Sequence, residues 1–417
     1  MSSVASLAER ATTPRWGRQL ARRLVLGNLR QLQQGQLRLV EDEQETLLGA
    51  PVPDLSVPTV EVRDPGFFAE IAFGGAIGAA EAFMRGAWTT DDLTTVVRVL
   101  VRNQAQRDGL ERGWARLAVP LRLLFHLSRA NTRRGSRRNI EAHYDLGNEF
   151  FALFLDRSLM YSSAVFDTPE VTLEEASFAK LERICRKLDL QPDDHVLEIG
   201  TGWGGFAEHA ASRYGCRVTT TTISPAQERY ARQRTADAGL AERVEILDRD
   251  YRDLEGRYDK LVSIEMIEAV GLDHLDDFFR VASERLRPEG LMLLQSITIA
   301  DRYYAQAKRS VDFIKRYIFP GGGLPSIQAL THAATHSSDL TVTHLEDIGL
   351  DYAETLRRWR RRFVRNLDAV RQLGFSERFL RMWEYYFCYC EGAFRERSIS
   401  DVQMLFAGPG RRQAPPR

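Results

Sequence analysis

The stretch Val196-Leu-Glu-Ile-Gly-Thr-Gly-Trp-Gly-Gly205 decides the fold. It opens on apolar residues, passes through a glycine-rich turn and runs into Phe206-Ala-Glu-His-Ala-Ala211, which reads as a helix. A strand, a tight loop and a helix start follow one another. Glycines are needed there because the backbone must turn sharply and let a ligand lie against it. They fall at 200, 202, 204 and 205, so the spacing is G-x-G-x-G-G and not the dinucleotide G-x-G-x-x-G. Glu198 sits inside the strand, where a buried carboxylate needs a partner, and a cationic ligand or backbone amides would supply one. On these residues alone an ordinary glycine-rich turn remains open.

Outward from that turn, the text alternates helix and strand. Helix is expected over 181–188, 205–214, 225–238 and 274–286, and strand over 195–200, 217–223, 244–247, 258–264 and 291–294, with Pro288-Glu-Gly290 as a stop. Strands separated by helical segments imply a parallel sheet covered on both faces, with ligands at the carboxyl ends of the strands. Beyond 300 the spacing changes to a helix-rich insertion over 302–334, a strand over 339–346 and long helices to about 396. The run Arg357-Arg-Trp-Arg-Arg-Arg362 reads as one helix's solvated face, and 408–417 as a disordered tail.

The N-terminal region reads differently. Residues 1–35 suit basic helices in which Trp16, Leu20, Leu24, Val25 and Leu29 form a rough apolar stripe beside arginines; a membrane surface or the domain's own core would take it. Short strands follow over 36–65, then helices over 66–105 broken near Gly74, Gly75 and Gly86. The expected organisation is a small α+β domain over 1–125, a basic linker over 126–140, and the main α/β domain over 141–407.

The formal net charge of the 417 residues is zero, so no global field draws the chain to nucleic acid. Positive charge is nevertheless concentrated: residues 1–40 hold seven arginines against Glu9, and 101–140 hold ten against Asp108 and Glu111. Phospholipid headgroups are the natural anionic candidate, and solvated arginine-rich helices are the bland alternative. Cys185, Cys216, Cys388 and Cys390 show neither metal spacing nor a disulfide framework, which fits a reducing cytoplasm. No secretory signal and no run of some 18 apolar residues is visible, so a soluble or peripheral protein is expected.

The glycine turn resembles motif I of the S-adenosylmethionine-dependent methyltransferases. From about 139 to 407 the chain is similar to the cyclopropane-fatty-acid synthase family, which methylates double bonds in phospholipid acyl chains. The likeness is carried by Ala142-His-Tyr-Asp-Leu-Gly-Asn148, Tyr161-Ser162, motif I, Asp250-Tyr-Arg-Asp-Leu254, Glu268, Lys315-Arg-Tyr-Ile-Phe-Pro-Gly-Gly322, Leu324-Pro-Ser326, Tyr352-Ala-Glu-Thr-Leu356 and Gly392-Ala-Phe394. It implies a Rossmann-like class I methyltransferase domain, with the N-terminal residues as a smaller lipid-associated domain. It also implies S-adenosylmethionine on Gly200, Gly202 and Gly204 beside Glu198, with Thr222, Ile223 and Gln227 at the ribose. Asp250 and Tyr251 would meet the adenine, and Tyr161 and Ser162 would close over the carboxylate end. Strand-end packing is the plain alternative for Thr222 and Gln227.

The sulfonium methyl is electrophilic and an alkene is a weak nucleophile, so attack creates a carbocation that water would quench. Such a site must exclude water, stabilise positive charge and hold a base. Aromatic candidates for the cation are Phe313, Tyr317, Tyr352 and Phe394, each of which also suits a core. Members of the family commonly hold bicarbonate as the base. Its grip maps here onto Glu268, Tyr352 and the Ile297 backbone, while the usual cysteine is Ser163 and the usual histidine is Gln295. At 265 a glutamate stands where the family has glycine. Glu265 and Glu268 are three apart and would share a face on one helical turn, raising one pKa. The expectation is that the Glu265 carboxylate takes the bicarbonate's place as a built-in base; pairing with a nearby arginine is the alternative. Cys390 matches a cysteine in some relatives and receives no nucleophilic role. His143, His195, His209 and His274 are expected to be structural or exposed.

The expected product is a cyclopropane fatty acid, with a methylene or methyl branch as the alternative; the text around 262–271 and 295–298 is closer to the branch-forming members. Expected partners are phospholipid acyl chains at the inner face of the membrane and no nucleic acid, with a homodimer open. A non-catalytic lipid-binding module, a small-molecule methyltransferase and a nicotinamide enzyme are weaker readings. The intact glycines, the long aromatic insertion and the missing ribose acid weigh against them in turn.

Overall fold

The structure is a computed structural model that describes residues 15–104 and 146–413. The basic linker, His143 and most of the 142–148 block lie outside the described residues. The described chain divides into two units: one holds 15–104 with 376–385, the other 146–375 with 386–413.

The first unit runs α1 (Arg15–Arg30), β1 (Gly35–Glu41), β2 (Gln44–Ala50), β3 (Thr59–Val62), α2 (Phe67–Arg85), β4 (Trp88–Thr90) and α3 (Leu93–Arg102). Its strands form one sheet in the order β2-β1-β3-β4. Asp92 caps α3 by accepting from the Thr95 amide at 3.0 Å. The sequence shows no unbroken apolar run, yet α2 is long and apolar enough to cross a membrane. It is kinked at Gly75, whose φ is 59°, and buries Phe67, Phe68, Ile77, Phe83 and Met84 as a core helix does. The N-terminal stripe divides between two faces. Ala21, Val25 and Leu26 are buried, whereas Trp16, Leu20 and Leu24 stand 72%, 51% and 47% exposed, one turn apart.

The second unit continues with α4 (Asn148–Ala152), α5 (Leu173–Lys187), β5 (His195–Ile199), α6 (Gly205–Tyr214), β6 (Arg217–Thr222), α7 (Pro225–Asp237), β7 (Val244–Asp248), β8 (Tyr258–Ile264), α8 (Leu275–Arg285) and β9 (Leu286–Ile299). After it come α9 (Asp301–Arg309), a π-helical turn (Ile314–Ile318), α10 (Ile327–Ser337), β10 (Thr341–Asp347), α11 (Gly349–Arg365), α12 (Leu367–Gln372), α13 (Glu377–Arg395), of which 377–385 are counted with the first unit, and β11 (Ile399–Ala407). A Thr172–Glu175 capping box starts α5, and Pro225 behind the Ser224 cap starts α7.

The seven-stranded sheet has the order β10-β11-β9-β8-β5-β6-β7. Strands β5 to β9 pair in parallel, while β11 runs antiparallel to both β9 and β10. Neighbouring residues alternate between two cores: Val196, Leu291 and Leu293 pack with α5 and α6, and Leu197, Met292 and Leu294 pack with α8 and α10. That alternation is the two-sided burial expected of a parallel sheet. Helix α8 ends at Arg285, ahead of the expected stop at Pro288-Glu-Gly290, and those residues run on inside the fourteen-residue β9, where the pairing with β8 shifts register. One expectation fails here. Residues 408–413 are not a loose tail, because the Gly408 and Gly410 amides bond back to the Gly290 and Pro288 carbonyls at 3.0 and 2.8 Å.

Candidate active site

Strand β5 has β6 on one side and β8 on the other, so the crevice at its carboxyl end is the topological switch point where open α/β sheets bind ligands. Two turns line it. The first is the glycine turn, where φ is 107° at Gly200, 51° at Gly202 and 82° at Gly204. The Gly200 and Thr201 amides bond to the Thr221 carbonyl at 3.2 and 3.0 Å, which ties the turn to β6. A Cβ on Gly200 would press on Met266 at 3.1 Å, and one on Gly204 on Ala231 at 3.2 Å. At Gly202 it would meet nothing within 4 Å, so this turn keeps an open side. That open, positive-φ backbone fits S-adenosylmethionine as the resemblance implies. Thr222 donates to Gln227 Oε1 at 3.1 Å, and both are buried beside the half-buried Ile223.

Several cofactor expectations change. Glu198 is buried and accepts from the Thr220 hydroxyl at 2.6 Å; burial pushes its carboxyl up to about 8. It is thereby held by a neighbouring strand. Ser162 does not stand free, because its hydroxyl accepts from the buried Lys180 ammonium at 2.8 Å. Tyr161 bonds the Tyr386 hydroxyl at 3.0 Å and packs against Phe151 and Trp359. The Asp250 carboxylate is taken by Arg252 at 2.8 and 2.6 Å, so its two oxygens are engaged within its own turn. Tyr251 packs edge-on against Phe278, and its buried hydroxyl has no partner among the described residues.

The second turn follows β8. Glu265 does not share a helical turn with Glu268: its φ is 48°, in the left-handed region, and only residues 267–269 form a short 3-10 turn. A non-glycine residue there costs about 1–3 kcal/mol. Three donors converge on its carboxylate. The Ser163 amide and Gln295 Nε2 reach Oε1, each at 2.8 Å, and the Tyr352 hydroxyl reaches Oε2 at 2.8 Å. These come from the positions where the resemblance implies a grip on bicarbonate. The Ile297 amide instead reaches Glu268 Oε1 at 2.6 Å, joined by the Ser296 hydroxyl at 2.9 Å. Burial, then the Glu265 charge, pushes the Glu268 carboxyl up to about 8. No arginine pairs with Glu265 among the described residues; the cation acting on it is Lys180.

Around this turn Tyr352 stacks on Phe394 with centroids 4.6 Å apart. Tyr317 lies in the π-helical turn beside Phe313 at 5.6 Å, under the Arg316 guanidinium. Burial pushes the Cys390 thiol up, the opposite of an activated nucleophile. His195 is held by Thr219 at 2.8 Å and His209 lies 3.4 Å from Glu182, in structural roles.

Two buried charges escaped the sequence reading. Lys180 falls on the apolar face of α5 with Ala176, Leu181 and Ile184, and a lysine in that stripe was a legible signal. Asp401 belongs to β11, which begins beyond the helices expected to end at about 396 and for which no strand was expected.

A seven-stranded sheet of this order, with a glycine turn after its first strand, defines a class I methyltransferase fold. The family profile described as mycolic acid cyclopropane synthetase matches residues 131–404, and the chain belongs to that family of S-adenosylmethionine-dependent methyltransferases. It is 39% identical over 383 residues to the tuberculostearic acid methyltransferase UfaA1 of Mycobacterium tuberculosis, covering 90% of this chain and 88% of that one. It is 37% identical over 356 residues to the cyclopropane-fatty-acyl-phospholipid synthase of Escherichia coli K12, covering 84% and 87%. The solved structure of the cyclopropane synthase MmaA2 from Mycobacterium tuberculosis superposes with a TM-score of 0.61 at 30% identity, over 65% of this chain and 98% of that one. A structure of mycolic acid cyclopropane synthase CmaA1 complexed with SAH and CTAB superposes equally well, at 0.61.

Proposed function

We propose that this chain transfers the methyl group of S-adenosylmethionine to the double bond of an unsaturated phospholipid acyl chain, and that the product carries a methylene branch. The carrying observation is Glu265: a strained left-handed glutamate onto whose carboxylate Ser163, Gln295 and Tyr352 all donate. The bound cofactor supplies an electrophilic methyl on sulfur. Gly200, Gly202, Gly204, Thr222, Gln227 and Tyr251 would hold it. The alkene π pair would form the new C–C bond as the methyl leaves with the old bonding pair left on sulfur, and a cation would remain on the acyl chain.

The faces of Tyr352 and Phe394 suit that cation. A hydride shift followed by loss of a proton from the transferred methyl would leave a C=CH2 branch on the open chain, with Glu265 accepting the proton. No step runs through bicarbonate in this reading, because the donors that would grip it are spent on Glu265. The branch reading replaces the cyclopropane expected from sequence. It is supported by that departure and by the 39% identity to a methyltransferase named for a branched acid, against 37% to the cyclopropane synthase. The exposed Trp16, Leu20 and Leu24 beside Arg18 and Arg23 support a peripheral position on the inner face of a membrane.

Expression in a bacterium that makes unsaturated phospholipids, with mass spectrometry of fatty acid methyl esters, tests the reading. A gain of one CH2 unit is expected, and derivatisation should locate a C=CH2 branch on the open chain. A ring would overturn the branch assignment, and unchanged fatty acids would overturn the substrate class.

A further inference from the structure

Two carboxyls, one in the turn after β8 and one on β11, face each other in this site, and only one belongs to the chemistry above. Asp401, on β11 opposite Ile297 of β9, is fully buried. Gln295 Nε2 clamps it to Glu265, donating to Glu265 Oε1 at 2.8 Å and to Asp401 Oδ2 at 2.9 Å. The Gln295 carbonyl oxygen is fixed in turn by Gln403 Nε2 at 3.0 Å, so the amide cannot flip without losing its partners. Asp401 Oδ1 is buried with no partner among the described residues, and the shared Gln295 Nε2 draws the Asp401 and Glu265 carboxyls together. Two acceptor oxygens in such proximity are satisfied by one shared proton and by little else.

We propose that Asp401 is a positioning residue that carries a proton and donates it as a hydrogen bond to Glu265, so that the pair holds one proton at rest and Glu265 stays ionised. This rests on Glu265 as the base. The groups facing the pair are Glu268 from the turn after β8, Tyr352 from α11, and Lys180 from α5. With Glu265 and Asp401 both ionised, two carboxylate charges would lie together near the one ammonium of Lys180, which Asp156 and Glu198 also draw on; one shared proton removes one of those charges. Burial, then the Glu265 charge, holds the Asp401 carboxyl far above the usual range, which agrees with the geometry. When Glu265 accepts the methyl proton, the C–H pair remains on carbon as the new double bond. The pair then holds two protons, and one passes to water before the next turnover.

The test is infrared difference spectroscopy of the full chain, parent minus Asp401→Asn, in water and deuterium oxide, alongside turnover. Glu198 and Glu268 also carry raised carboxyls and cancel in the difference. A protonated-carboxyl band, shifted by deuterium, should be lost with Asp401→Asn at neutral pH. The asparagine amide still donates to Glu265, so kcat should fall only roughly threefold to tenfold. Asp401→Leu removes the donor and should lower kcat by about a hundredfold or more. An unchanged spectrum would mean that Asp401 is ionised and would overturn the proposal. So would an asparagine variant as slow as the leucine one. Neither result bears on Glu265 as base, which fails separately if Glu265→Gly keeps full turnover without bicarbonate.

Discussion

The two turns at the carboxyl ends of β5 and β8 solve the same backbone problem in opposite ways. Both need positive φ. The first meets it with glycines at 200, 202 and 204, which adopt it without strain and leave backbone open on one side. The second meets it with Glu265, whose side chain is strained in place and then fastened by three donors. A turn built of glycine presents its backbone to whatever the fold binds. A turn that tolerates strain for one carboxylate presents that carboxylate. The difference separates what this molecule shares with its fold from what is particular to its chemistry.

Removing the strained side chain should have the largest effect. In bicarbonate-free buffer Glu265→Gly should lower kcat by about 10²–10⁴ while titration calorimetry with S-adenosylhomocysteine stays near the parent. Added bicarbonate should restore part of the rate, because Ser163, Gln295 and Tyr352 are then left with donors and no acceptor. If the glycine variant is as fast as the parent, the contrast between the turns is one of shape alone.

The glycine turn should respond in the other currency, binding. Gly202→Ala adds a methyl where nothing lies within 4 Å, at φ 51°, so the fold should survive with a thermal midpoint within a few degrees of the parent. The methyl takes up the open side, and S-adenosylhomocysteine should bind roughly tenfold more weakly or worse. Gly200→Ala presses on Met266 at 3.1 Å and should lower the midpoint as well. Equal binding losses with equal destabilisation would mean that the open side of Gly202 holds no ligand.

The first turn was legible and the second only in outline, for a physical reason. Glycines at alternate positions after an apolar strand have few other uses, so residues 196–205 yield strand, turn and helix with correct bounds for α6. Glu265 stood out as a departure from the family's glycine, but three-residue spacing was read as helical pairing. Periodicity carries no sign of φ, and the left-handed backbone at 265 turns its carboxylate toward Ser163 and Tyr352, far off in sequence. Strand β11 was hidden because Ile399–Ala407 is buried on both faces and so shows no alternation. With it went Asp401. The same limit applies to Asp250, whose capture by Arg252 two residues on is a matter of side-chain direction.

The smallest expected effect also sets the turns against each other, through the buried acids that precede and follow their bends. Glu198 enters the glycine turn and Glu268 leaves the other, and burial raises each from 4.5 to about 8. Between those values the folded protein keeps protons that the unfolded chain has lost. Stability should therefore fall as pH rises through that window. Lys180 has the opposite sense: burial lowers it from 10.5 to about 8, so the folded protein sheds that proton first and stability recovers above 8. Glu198→Gln preserves an acceptor for Thr220 and removes one ionisation. Its thermal midpoint should exceed the parent's by a few degrees near pH 8 and converge with it near pH 4.5. Curves that run parallel across that range would mean that Thr220 and Lys180 together keep Glu198 ionised, and that the strand before the glycine turn carries a charge after all.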